Sequence, residues 1–225
     1  MTHLYVVPDW FLGYSILLEV VFVIITILVS LYSFKIYKLS HQRQSQLFGI
    51  GFLSISLSYI VLSFLNFAIF SKLNDDICTC LRISNIDVLH NFWMYIHMIL
   101  FLIGLITLAY MALKVKSSKT YSLLFIIVII SLLFSPDKLS FFNLIASILL
   151  IYIVIHYIMV YVTNKKFRTL LVLISFIFLL FGRIHFLFSV DHGLYYVIAH
   201  FLILIAYSLI LVNLILILKN EQKKG

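Results

Sequence analysis

The sequence predicts an all-α integral membrane protein, a seven-transmembrane-helix bundle with its N-terminus outside and its C-terminus in the cytoplasm. Three observations carry that expectation. Of the 225 residues, 64% are hydrophobic and only 11% charged, with a mean hydropathy of +1.18, whereas roughly half of a soluble domain is apolar. The apolar residues gather into seven runs, six of them near or above the ~20 residues that cross a hydrocarbon core. The positive charges fall in every second connection between those runs, the pattern that sets orientation.

The predicted helices are about 10–34, 45–71, 91–113, 121–135, 141–163, 169–190 and 194–218. Together they make residues 1–225 one bundle, with no internal repeat and no separate soluble domain. The fourth run is the shortest, and Pro136 stops it because proline has no amide hydrogen to continue a helix. If runs four and five formed a re-entrant hairpin, both would drop out together and the later topology would stand. The longest connection, 72–90, is an external loop.

Orientation follows from lysine and arginine. Lys35, Lys38 and Arg43 follow the first run; Lys114, Lys116 and Lys119 follow the third. Lys165, Lys166 and Arg168 follow the fifth, and Lys219, Lys223 and Lys224 end the chain. The opposite side carries Lys72, Arg82 and Lys138, together with Asp9, Asp75, Asp76, Asp87, Asp137 and Asp191. The net charge of +8 therefore reads as topology and contact with anionic headgroups, not as a nucleic-acid surface. No cleavable signal is expected, because the first nine residues lack Lys and Arg and the first apolar run is too long for a signal core. Cys78 and Cys80 share one loop and cannot staple distant elements.

Function is sought where polar groups enter the apolar runs, since ionisable side chains are costly in lipid. Counting about 1.5 Å per residue along each helix, Glu19, His97, Arg183, His185 and His200 fall in the outer half. His90 and His192 mark the outer rim. His156 falls in the inner half and reads as a packed residue bonded to a neighbouring helix. His90, Met94 and His97 share one helical face, continued by Phe101 and Gly104. Tyr196, His200 and Tyr207 share another. Ser15, Glu19, Thr26, Ser30 and Ser33 form a polar stripe, as do Tyr59, Ser63 and Asn66, and such stripes face the interior of a bundle. Gly182, His185 and Ser189 share a face, and Arg183 is turned by about 200° from His185.

These groups suggest four readings. The first is a membrane electron-transfer protein with haem b held by His97 and His200, or by His185 in place of either. Neutral imidazoles on facing helices suit haem iron. Gly104 and Gly182 would admit the ring, Arg183 or the rim histidines His90 and His192 would meet the propionates, and a quinone or an external redox protein would be the partner. The second is copper or zinc binding, transport or metal-dependent catalysis using His90, Met94, His97, His185, His200 and Glu19, with Cys78 and Cys80 nearby; imidazole, thioether and thiolate suit these ions. The third is a cofactor-free seven-helix receptor or sensor. The seventh run has no lysine for a retinal Schiff base, and the third is not followed by Asp-Arg-Tyr. The fourth is a zinc hydrolase with Glu19 as base, although the chain has no His-Glu-x-x-His. No phosphate-binding glycine loop is present, so soluble nucleotide chemistry is not expected. Glu19, a lone carboxylate in the spans, is expected to be protonated or paired, with Arg183 as the available opposite charge.

Overall fold

A computed structural model describes residues 8–73, 86–113, 117–189 and 192–221. Among the described residues every regular element is helical. A short turn at Asp9–Phe11 leads into α1 (Leu12–Ser40), followed by α2 (Arg43–Leu73), α3 (Ile86–Leu113), α4 (Ser118–Phe134), α5 (Lys138–Asn164), α6 (Phe167–Phe188) and α7 (Gly193–Glu221). Six of these helices are long and apolar enough to cross a membrane. The exception is α4, whose 17 residues rise only about 25 Å at 1.5 Å per residue. The chain is thus a helical protein of the membrane type, with lipid as the surroundings of its exposed leucines, isoleucines and phenylalanines.

The helix ends have local causes. His41 closes α1 and Lys165 closes α5, both with left-handed backbone (φ 53° and 47°) and amides bonded back to Tyr37 and Tyr161. That geometry satisfies a terminal carbonyl and turns the chain sharply, which gives the tight connections α1–α2 and α5–α6. Pro136 follows α4, and the Asp137 carboxylate accepts the Ser140 amide hydrogen at 3.4 Å to cap α5.

Six helices close a ring in the order α1, α2, α3, α5, α6, α7 and back to α1, while α4 lies outside it against α3 and α5. The ring is held by close crossings and by hydrogen bonds between helices. At the α2–α3 crossing, a Cβ on Gly104 would lie 2.7 Å from the Gly51 carbonyl oxygen and 2.6 Å from the Ile55 side chain, so only glycine lets these backbones approach. Between α1 and α2, Ser30 donates to the Gly49 carbonyl at 2.9 Å and Ser33 to the Ser45 carbonyl at 2.6 Å. In lipid these bonds link helices that hydrophobicity alone would not join. The predicted stripe Ser15, Glu19, Thr26, Ser30 and Ser33 is entirely buried, at 0–1% exposure.

Candidate functional site: a polar cavity inside the helix ring

One end of the ring encloses a cavity of about 80 Å³, whose walls come from α1, α2, α3, α5, α6 and α7. Its polar lining is Glu19, Tyr59, Asn66, His97, Arg183, Tyr196 and His200; Met94, Phe22 and Phe186 are among its apolar walls. Glu19, Arg183, His97 and His200 are 0%, 3%, 5% and 3% exposed. Each is therefore fixed by the protein and faces its interior.

Glu19 stands on α1 across from α2. Asn66 donates to its Oε1 at 2.6 Å, while its Oε2 is buried with no hydrogen-bond partner. Arg183 enters from α6. Its Nη1 donates to Asn143 Oδ1 and its Nη2 to the Tyr59 hydroxyl, both at 3.4 Å. The guanidinium carbon lies 3.8 Å from the centre of the Phe101 ring, a cation–π contact that offsets part of the cost of burying the charge. Its Nε has no partner. The expected Glu19–Arg183 ion pair is not formed. A neutral amide satisfies one carboxylate oxygen, and the two charges line one cavity without touching.

The two histidines are oriented alike. His97 Nδ1 lies 2.9 Å from the Ser58 carbonyl and 3.0 Å from its hydroxyl. His200 Nδ1 lies 2.9 Å from the Tyr196 carbonyl, one turn earlier on α7. A carbonyl oxygen can only accept, so Nδ1 carries the hydrogen in both rings and Nε2 keeps its lone pair. The rings are not adjacent along their packing contacts: Tyr59 stands 6.2 Å from His97 and 5.3 Å from Phe22, and Phe22 stands 6.0 Å from His200.

Below these groups the core is filled. Tyr207 donates to the Tyr59 hydroxyl at 3.2 Å and packs edge-on against Phe22 and Phe52. These rings are fully or almost fully buried and form an aromatic floor under the cavity.

Several sequence expectations change here. His185 was an alternative ligand, but it is half-buried, turned off the inward face of α6, with Nδ1 on the Phe181 carbonyl at 2.7 Å and its ring beside Tyr195. The inward face carries Gly182, Arg183 and Phe186 instead. Gly104 and Gly182 do not open a slot for a ring: Ile55 and the Gly51 backbone fill the first position, and Ile203 comes within 2.8 Å of a Cβ at the second. Arg183 lines the cavity. Among the described residues no group of three or more His, Cys, Asp or Glu is placed to hold a metal ion. His97, His200 and Glu19 approach the cavity from three different helices, His185 faces away, and the side chain of His90, like Cys78 and Cys80, lies outside the described residues. His192 is exposed, beside Tyr195, and the half-buried His156 packs against its neighbour Tyr157. Asn143 was not anticipated as part of the site. Its sequence signal is a single amide near the start of the apolar run 141–163.

A bis-histidine haem meets this geometry halfway. The donor chemistry fits, because anchoring Nδ1 on a carbonyl is how ligating imidazoles are held. The space does not, since cofactor and drug-sized pockets run to about 300–1,000 Å³ and this cavity is about 80 Å³. No protein-family profile matches the chain, and no curated protein or solved structure shows significant similarity to it.

Proposed function

We propose that this protein is a multi-pass cell-membrane receptor or sensor of seven spans, N-terminus outside and C-terminus in the cytoplasm, that binds a small polar molecule in the outer half of the bundle. The orientation rests on twelve of the 16 lysines and arginines lying in alternate connections and the C-terminal tail. The fourth span would be α4, packed outside the ring and completed by bilayer thinning or polar flanks.

The observation that carries the binding reading is a pair of unmade hydrogen bonds in one cavity. Glu19 Oε2 and Arg183 Nε are both buried and both lack a partner. An unsatisfied polar group inside a membrane costs several kcal/mol on the order of a lost hydrogen bond in apolar solvent, so the contents of the cavity supply the partners. A volume of about 80 Å³, well above the roughly 10–15 Å³ that admits one water, holds more than one water or one molecule of a few heavy atoms. The aromatic floor favours a receptor over a channel, because it blocks passage toward the C-terminal side.

External access to the cavity is the test. In a variant with Cys78→Ser, Cys80→Ser and Met94→Cys, an impermeant thiol reagent added outside should label the new cysteine. A small-metabolite extract should slow that labelling. Labelling only from the cytoplasmic face would reverse the orientation, and no protection by any small molecule would remove the receptor reading.

A second reading keeps haem b and electron transfer to a quinone or an external redox protein. What favours it is the matched anchoring of His97 and His200, which leaves both Nε2 atoms available. It requires the cavity to widen well beyond about 80 Å³. A preparation from haem-supplied cells with a Soret band lost in both His97→Ala and His200→Ala would establish it; a colourless one would end it.

A further inference from the structure

We infer that the cavity takes a small zwitterion, a molecule carrying an ammonium group and a carboxylate separated by a few carbons. This rests on the binding reading above and sharpens it to one chemical class. The cavity offers two unmet demands of opposite sign. Arg183 Nε is a donor on a cation, and Glu19 Oε2 is a carboxyl oxygen that a bound cation would hold as an acceptor. A carboxylate answers the first and an ammonium the second. Neither demand is met by the other, since the two side chains form no ion pair and spend their remaining groups on Asn66, Asn143 and Tyr59.

Charge accounting selects the zwitterion over a simple ion. A bound ammonium would hold Glu19 in its carboxylate form, so that ligand and side chains together carry no net charge. A lone carboxylate would answer Arg183 but leave the Nε2 acceptors of His97 and His200 without a donor. A lone ammonium would leave Arg183 Nε unanswered and add a positive charge. A zwitterion satisfies both groups and keeps the total at zero. The imidazole nitrogens support the same assignment. Because Nδ1 of His97 and of His200 donates to a carbonyl, each Nε2 is an acceptor, suited to N–H groups of a ligand and not to a second carboxylate. Phe22 and Phe186 supply the apolar wall for the connecting carbons.

The experiment measures binding to the full-length protein in nanodiscs of phosphatidylcholine, by thermal stabilisation and equilibrium dialysis. The probes are glycine, β-alanine and γ-aminobutyrate, against propionate and propylamine as half-ligands and short-chain phosphatidylethanolamine as a lipid headgroup. At least one free zwitterion should raise the unfolding temperature and bind tenfold or more tighter than either half-ligand. Arg183→Gln should then weaken the zwitterion about thirtyfold or more, the usual loss when one partner of a buried charge pair is removed, and should erase its advantage over propylamine. Glu19→Gln should erase its advantage over propionate. Those two losses of discrimination are not produced by general misfolding, and the wild-type panel stands even if a variant does not fold. Propionate binding as tightly as any zwitterion overturns the inference while leaving a ligand site. Stabilisation by the lipid alone also overturns it, in favour of a headgroup. Should no probe bind while a different small molecule co-purifies, the zwitterion is wrong and the binding reading survives. If nothing binds and nothing co-purifies, both fall and water fills the cavity.

Discussion

Arg183→Met tests whether Glu19 and Arg183 are coupled across the cavity although they do not touch. The substitution keeps an unbranched chain over Phe101 but removes the cation. It also removes the donors to Asn143 and Tyr59. Coupling of the two as charges across the cavity would leave Glu19 uncompensated in this variant, at the cost of about 3–5 kcal/mol that the loss of one partner of a buried charge pair carries. For a chain of 225 residues, that corresponds to a fall of about 6–20 °C in apparent unfolding temperature, at roughly 2–4 °C per kcal/mol. The informative variant is the double one. In Glu19→Gln with Arg183→Met no buried charge remains, Asn66 keeps an acceptor, and a substantial part of the stability should return. Unfolding would be followed in detergent by size-exclusion chromatography after heating, at one fixed time so that rates do not confuse the ranking. A double variant whose loss equals the two single losses added together would refute the coupling.

Gly104→Val should destabilise the α2–α3 crossing by about 1–3 kcal/mol, the usual range for overpacking, because its Cβ meets the Gly51 backbone; Gly13→Ala, with nothing within 4 Å of its Cβ, should leave heat stability unchanged. Asn66→Leu should lower stability by about 1–3 kcal/mol through loss of the Glu19 hydrogen bond, whereas His185→Ala, outside the cavity, should alter neither stability nor ligand protection of the Met94→Cys variant by more than a few tenths of a kcal/mol. Reporter tags in 114–119 and at the C-terminus should be cytoplasmic and a tag in 72–90 external; protease protection showing the reverse would invert the orientation.

The helices themselves were legible in the sequence because lipid imposes long apolar runs and because polar stripes must face inward. Ser15, Glu19, Thr26, Ser30 and Ser33 were readable as one buried face from spacing alone. Tyr196, His200 and Tyr207 were readable the same way. The position of α4 outside the ring was not, since its length says that it is short but not which neighbours it touches. On α6, the angle separates Arg183 from His185 but does not tell which of them points inward; packing of Phe186 and Gly182 against α7 decides it. Glu19 was expected beside Arg183 because opposite charges attract, yet a neutral amide on α2 satisfies one of its oxygens. Gly104 and Gly182 illustrate the same limit. Small residues mark a close approach, and only the neighbouring Ile55 and Ile203 show that the approach is helix to helix, not helix to ring.

Native mass spectrometry of the purified protein measures the contents of the cavity most directly. Wild-type protein released gently from nanodiscs should carry one small polar molecule at near-stoichiometric occupancy, lost in Arg183→Gln and in Glu19→Gln but retained in His185→Ala. Protein of bare polypeptide mass that gains no small molecule from a metabolite extract would contradict the account, and would leave Glu19 and Arg183 as groups satisfied by water inside the membrane.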